Sequence, residues 1–114
     1  MDSKSAVRVL SALAQENRLA IFRLLVSIGP AGLTPGKISE QLDVPHATLS
    51  FHLKDLSYSG LITSRKKSRF VIYSANYEVM NDLLAFLTEN CCSGSICETS
   101  SVKKCKPIKR RMKN

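Results

Sequence analysis

DVPHATLSFHLKDLSYSG, residues 43–60, decides the fold. Leu49, Leu53 and Leu56 recur at the spacing of one helical face. Asp43-Val44-Pro45 makes a turn ahead of them, and Gly60 stops the helix behind them. At about 100° per residue the opposite face presents Ala47, Phe51, Lys54 and Tyr58, flanked by Thr48 and Ser50. A helix that buries leucines and displays small, short polar and aromatic residues is suited to close approach by a partner. An exposed Phe51 beside Lys54 is hard to account for without one.

Upstream, Thr34-Pro35 is a helix start, with threonine as the cap and proline in the first helical position. The short helix that follows turns Ile38 and Leu42 inward. Gly29-Pro30-Ala31-Gly32 separates it from a helix carrying Ile21, Leu24, Leu25 and Ile28 at i, i+3, i+4, i+7. Ala6, Val9, Leu10 and Leu13 predict a first helix before that. Downstream, Leu61–Arg65 and Phe70–Ser74 are β-prone runs separated by Lys66-Lys67-Ser68, a hairpin. Asn76 caps a final helix whose Met80, Leu83, Leu84 and Leu87 form one apolar stripe. Two short helices joined by a tight turn and followed by a basic hairpin describe a mainly α fold with a small β-hairpin, a winged helix-turn-helix. Residues 1–90 are expected to form this DNA-binding domain, and residues 91–114 a cysteine-containing sensor segment and basic tail.

The expected partner is double-stranded DNA. His46 and Ala47 occupy the first turn of the reading helix, the part that enters a groove most deeply. His46, Thr48 and Ser50 can hydrogen-bond base edges or phosphates, and Ala47 or Phe51 can touch a thymine methyl. His52 is expected to be an exposed or capping histidine rather than a base contact. Lys54 and the wing cations Arg65, Lys66, Lys67 and Arg69 are the candidates for the DNA backbone or minor groove. The bland alternative is a surface helix on a small α-rich domain.

At 114 residues the chain has room for one core. Its net charge is +8, and seven of its 17 basic residues lie between Lys103 and Lys113, leaving ten against nine acids elsewhere. Two basic patches on a small chain suggest a polyanion. No apolar run reaches the roughly 18 residues of a membrane span, and no signal-peptide pattern opens the chain. The expected location is the cytoplasm, where thiols stay reduced.

All four cysteines, Cys91, Cys92, Cys97 and Cys105, lie in the last quarter of the chain, too clustered to staple a fold. Adjacent Cα atoms sit about 3.8 Å apart, below the roughly 4.4–6.8 Å that an unstrained disulfide needs. Cys91-Cys92 is therefore a two-pronged grip for a soft ion, with Cys97 completing a three-sulfur site. Cys105 is a spare thiol, an alternative third ligand, or a fourth for tetrahedral zinc. No His or Asp stands near these thiols at a catalytic spacing, so an enzyme is not expected. A thiol redox sensor and a zinc or cadmium sensor remain the competing uses.

The stretch from Leu33 to Tyr73, above all TLSFHLKDLSYSGLI (48–62) and the hairpin ending at Val71-Ile72-Tyr73, resembles the ArsR/SmtB family of metal-responsive repressors. LAQENRLAIFRLL (13–25) is also similar to that family's opening helices, and the likeness covers roughly residues 6–90. It implies a homodimeric winged-helix repressor that binds operator DNA and releases it when a metal or metalloid binds. Two familiar family sites are missing. Leu33-Thr34-Pro35-Gly36-Lys37 has no cysteine where many arsenic sensors carry a thiol pair, and the final helix lacks the histidines of the zinc sensors. The chain more closely resembles arsenic sensors with Cys-Cys plus one further Cys after the last helix. That likeness implies trivalent arsenic or antimony as inducer, held by Cys91, Cys92 and Cys97, and no catalytic cofactor.

Overall fold

Among the described residues, four of the five α-helices begin where a side-chain oxygen accepts an otherwise free amide. In the computed structural model, which describes residues 1–94, α1 spans Ser3–Leu13, with Asp2 accepting from the Ser5 amide at 2.8 Å. That bond holds the Asp2 carboxyl below the usual carboxylate range. Gln15 caps α2, Glu16–Ile28, through the Arg18 amide at 2.9 Å. Thr34 caps α3, Pro35–Leu42, through the Lys37 amide at 3.3 Å, with Pro35 in the first turn as the sequence predicts. Asn76 caps α5, Tyr77–Leu87, through the Val79 amide at 3.3 Å. Each such cap stabilises its helix by about 1 kcal/mol. The exception is α4, His46–Tyr58, which follows Pro45 and has no side-chain cap.

Between α4 and α5 the chain forms an antiparallel hairpin, β1 Ile62–Lys67 and β2 Phe70–Ala75, paired from Ile62↔Ala75 to Lys67↔Phe70. The connection is the two-residue Ser68-Arg69, not the expected Lys66-Lys67-Ser68. Ser68 takes φ 62°, and a positive φ in a two-residue turn matches the twist of the flanking strands. Pairing therefore continues through Lys66 and Lys67, and the wing is longer than its composition suggests. Its base is pinned by Leu33, which exchanges backbone hydrogen bonds with Tyr73 at 2.9 and 2.8 Å. Gly32 makes this approach possible: it has φ +71°, and a Cβ there would run into the Tyr73 carbonyl oxygen.

The core lies where the inner faces of α1 to α4 meet the hairpin base. Ile21, Leu25, Ile38, Leu49, Leu56, Leu61 and Ile62 are its fully buried large side chains, with Leu53 beside them. Truncating any of these to alanine costs on the order of 2–5 kcal/mol. The turn from α3 to α4 is held by buried Val44, by Asp43 in the left-handed region, and by the Ser39 hydroxyl donating to the Val44 carbonyl at 2.6 Å. Arg18 joins three helices. Its Nε donates to the Ala12 carbonyl at 2.6 Å, Nη2 to the Ser11 carbonyl at 3.4 Å, and Nη1 pairs with Asp55 of α4 at 3.4 Å.

α5 is moored by the Tyr77 hydroxyl, which donates to the Val26 carbonyl at 3.0 Å, and partial burial raises that phenol's pKa. The expected apolar stripe of α5 splits. Leu83 is buried and Met80 packs against the core, while Leu84 and Leu87 stay exposed. On α1, which packs against α5, Val7 and Leu10 are exposed as well.

Candidate nucleic-acid interface and thiol pair

α4 presents two faces of opposite chemistry. Leu49, Leu53 and Leu56 are buried, and His46, Ala47, Thr48, Ser50, Phe51 and Lys54 are all exposed. His52 is half-buried rather than exposed, its Nδ1 enclosed without a hydrogen-bond partner, which places it at the packing edge of the helix. Because Pro45 supplies no acceptor, the first-turn amides of α4 have no side-chain partner. Unpaired amides at a helix start carry partial positive charge and suit an anionic oxygen. The exposed His46, Ala47 and Thr48 stand around them.

The wing adds cations beside this helix. Every residue from Thr63 to Phe70 is exposed, among them Lys66, Lys67 and Arg69. Arg65 behaves differently. Its guanidinium donates to the carbonyls of Ala31 at 2.9 Å and Pro30 at 3.3 Å, which ties β1 to the α2–α3 loop. The geometry groups Lys66, Lys67 and Arg69 toward the hairpin end and assigns Arg65 a bracing contact.

Exposed aromatics are confined to this half of the molecule. Phe51 is 70% exposed, Tyr58 79% and Phe70 58%. A bare aromatic ring beside cations is suited to the flat, apolar faces of sugars and bases. In the sequence Phe70 is only the first residue of the second β-prone run, with nothing to mark it as exposed. Tyr58 stood on the exposed stripe, but its contact with Arg8, whose Cζ lies 5.8 Å from the ring centroid, joins residues fifty positions apart.

The thiols stand at the far end of α5. After the C-cap at Thr88, Asn90 turns left-handed at φ 59°, and a short turn spans Cys91–Gly94 with Cys92 and Ser93 also left-handed. Cys91 is partly exposed and Cys92 exposed, with their sulfurs 3.3 Å apart. That separation is a contact of two thiols, not the roughly 2.05 Å of a disulfide bond. The other two predicted thiols, Cys97 and Cys105, lie outside the described residues, as does the basic run from Lys103. Among the described residues no three His, Cys, Asp or Glu side chains come together to hold a metal ion, so α5 carries no such cluster. No described helix is long and apolar enough to cross a membrane.

Residues 3–65 match a protein-family model described as a helix-turn-helix domain. The arsenical resistance operon repressor of Bacillus subtilis is 36% identical over 81 residues, 71% of this chain and 73% of that protein. The transcriptional activator HlyU of Vibrio cholerae is 30% identical over 94 residues, 82% of this chain and 84% of that protein. HlyU has a solved structure that superposes with a TM-score of 0.60, covering 76% of this chain and 97% of that one, and it has also been solved in a form described as reduced. The homodimeric winged helix-turn-helix domain Mb0332 of Mycobacterium bovis superposes at 0.63 over 88% of this chain and 83% of that one, at 21% identity. The last likeness is one of fold alone.

Proposed function

The chain belongs to the ArsR/SmtB family of winged helix-turn-helix transcriptional regulators, and from that premise we propose that it is a homodimeric repressor released from operator DNA by trivalent arsenic or antimony. In this reading α4 lies in the major groove. His46, Thr48 and Ser50 choose sequence, Ala47 and Phe51 meet thymine methyls, and Lys54 with Lys66, Lys67 and Arg69 holds phosphates. Two copies would bind half-sites about one helical turn apart. The exposed Val7, Leu10, Leu84 and Leu87 on α1 and α5 supply the apolar face that a second copy would cover.

The observation that carries the inducer assignment is the 3.3 Å separation of the Cys91 and Cys92 sulfurs. Two sulfurs bonded to one ion at about 2.3 Å lie about 3.3 Å apart when the angle between them is near 90°. The two sulfurs are therefore close enough to grip one thiophilic ion together, and a set of three thiolates suits a pyramidal acceptor. Cys97 is close enough in sequence to supply the third thiolate. The similarity to an arsenical resistance repressor supports the same reading.

The similarity to HlyU supports a second reading, in which oxidation of these thiols is the signal. One titration separates the two. Arsenite and antimonite, added under reducing conditions to protein bound to its operator, are expected to release it at lower concentration than zinc or cadmium. Peroxide without reductant is expected to do little. Release by peroxide with no response to arsenite would replace the metalloid by an oxidant.

A further inference from the structure

The structure places a cation beside the reading helix that belongs to neither the helix-turn-helix nor the wing. Arg8 of α1 rests over the Tyr58 ring, 5.8 Å from Cζ to centroid, and Tyr58 is 79% exposed at the end of α4. We infer that Arg8, seated on Tyr58, is a DNA phosphate contact that extends the interface past the C-terminal end of α4. The inference rests on the reading of α4 as the helix that enters the major groove.

Three observations carry it. First, Arg8 has no competing anion: the ion pairs among the described residues are Arg18 with Asp55 and Lys37 with Glu40. The ring contact occupies none of its five N–H donors with an acceptor, so they remain available to a phosphate oxygen. Second, Tyr58 follows Lys54 by four residues and shares the outward stripe of Ala47, Phe51 and Lys54. From Ala47 to Tyr58 that stripe runs about 16 Å at 1.5 Å per residue. The major groove is about 12 Å wide. With the first turn at the base edges, the far end of α4 reaches the phosphates of the groove wall, where Arg8 waits. Third, Arg8 lies roughly 160° round α1 from Leu10 at about 100° per residue. It is about 100° from Val7, so it lies beside the apolar surface a second copy would cover and not within it. The ring contact holds a long flexible side chain in place before DNA arrives.

The test compares wild type, Arg8→Ala, Arg8→Gln, Arg8→Lys, Tyr58→Phe and Tyr58→Ala on two duplexes over a range of salt. One duplex is the operator recovered by in-vitro selection with the wild-type protein, and the other is a scramble of it. Arg8→Ala and Arg8→Gln should each lower the slope of log affinity against log salt by about 0.9 per subunit. They should weaken both duplexes by the same factor, with the melting temperature of the free protein kept. Arg8→Lys and Tyr58→Phe should keep the wild-type slope, and Tyr58→Ala should fall between. A wild-type slope in both Arg8→Ala and Arg8→Gln overturns the inference alone, since wild type would still bind. A loss confined to the operator duplex would also overturn it, because a phosphate contact carries no sequence choice. Wild-type protein that binds neither duplex would overturn the DNA reading itself.

Discussion

Arg65 and Arg69 have the same side chain four residues apart on one hairpin, yet the structure gives them different tasks. Arg65 turns two of its donors to the carbonyls of Pro30 and Ala31, while Arg69 stands in the two-residue turn beside Lys67. Phosphate contacts release condensed counterions, so each one lost lowers the salt dependence of binding. Lys67→Ala and Arg69→Ala should each weaken binding to many sequences and flatten that dependence, measured by anisotropy titrations at several salt concentrations. Arg65→Ala should leave the slope nearer wild type and instead lower the free protein's stability by about 1 kcal/mol, read by urea unfolding. Equal slopes for Arg69→Ala and wild type would remove the wing tip from the phosphate surface. Nothing in the local sequence separates these two arginines, because the carbonyls that hold Arg65 lie more than thirty residues away.

Elements show most plainly which parts of the fold can be read from sequence. The leucine stripe of α4, the Thr34-Pro35 start of α3 and the Asn76 cap of α5 are local patterns, and each matches the structure. The adjacent thiols are local too, and they stand just beyond α5 as their position implies. Composition puts the wing turn at Lys66-Lys67-Ser68, whereas in the structure the positive φ at Ser68 decides where pairing ends. Contacts distant in sequence were not legible: the Leu33–Tyr73 bridge, the Arg18 junction and the Arg8–Tyr58 stack. The bridge yields its own prediction. Gly32→Ala strains a left-handed backbone by about 1–2 kcal/mol and also pushes a methyl group at the Tyr73 carbonyl. Urea unfolding should show a loss of at least that size, with the hairpin base loosened in hydrogen exchange at the Leu33 and Tyr73 amides. Unchanged stability would mean that the bridge does not position the wing.

For the whole molecule, the proposed function needs two sites to share one equilibrium. The thiols follow α5, the exposed Leu84 and Leu87 lie on α5, and Arg18 links the end of α1 to Asp55 on the reading helix. Under that proposal a change at Cys91 and Cys92 would pass along α5 and α1 to the spacing of two α4 helices across a dimer. Leu84→Glu with Leu87→Glu should produce monomers in sedimentation and weaken binding to paired half-sites far more than to one half-site. A double variant that stays dimeric would move the interface elsewhere. Taking operator occupancy from 99:1 to 1:99 requires about 5.5 kcal/mol of differential binding, within the roughly 10 kcal/mol or more that thiolate-rich sites supply. The most direct measurement is arsenite-driven release from the selected operator, followed by fluorescence anisotropy under reducing conditions, for wild type beside Cys91→Ser/Cys92→Ser. The account predicts that both proteins bind the operator with similar affinity and that only wild type leaves it on adding arsenite. Release of the double variant at the wild-type arsenite concentration would contradict it.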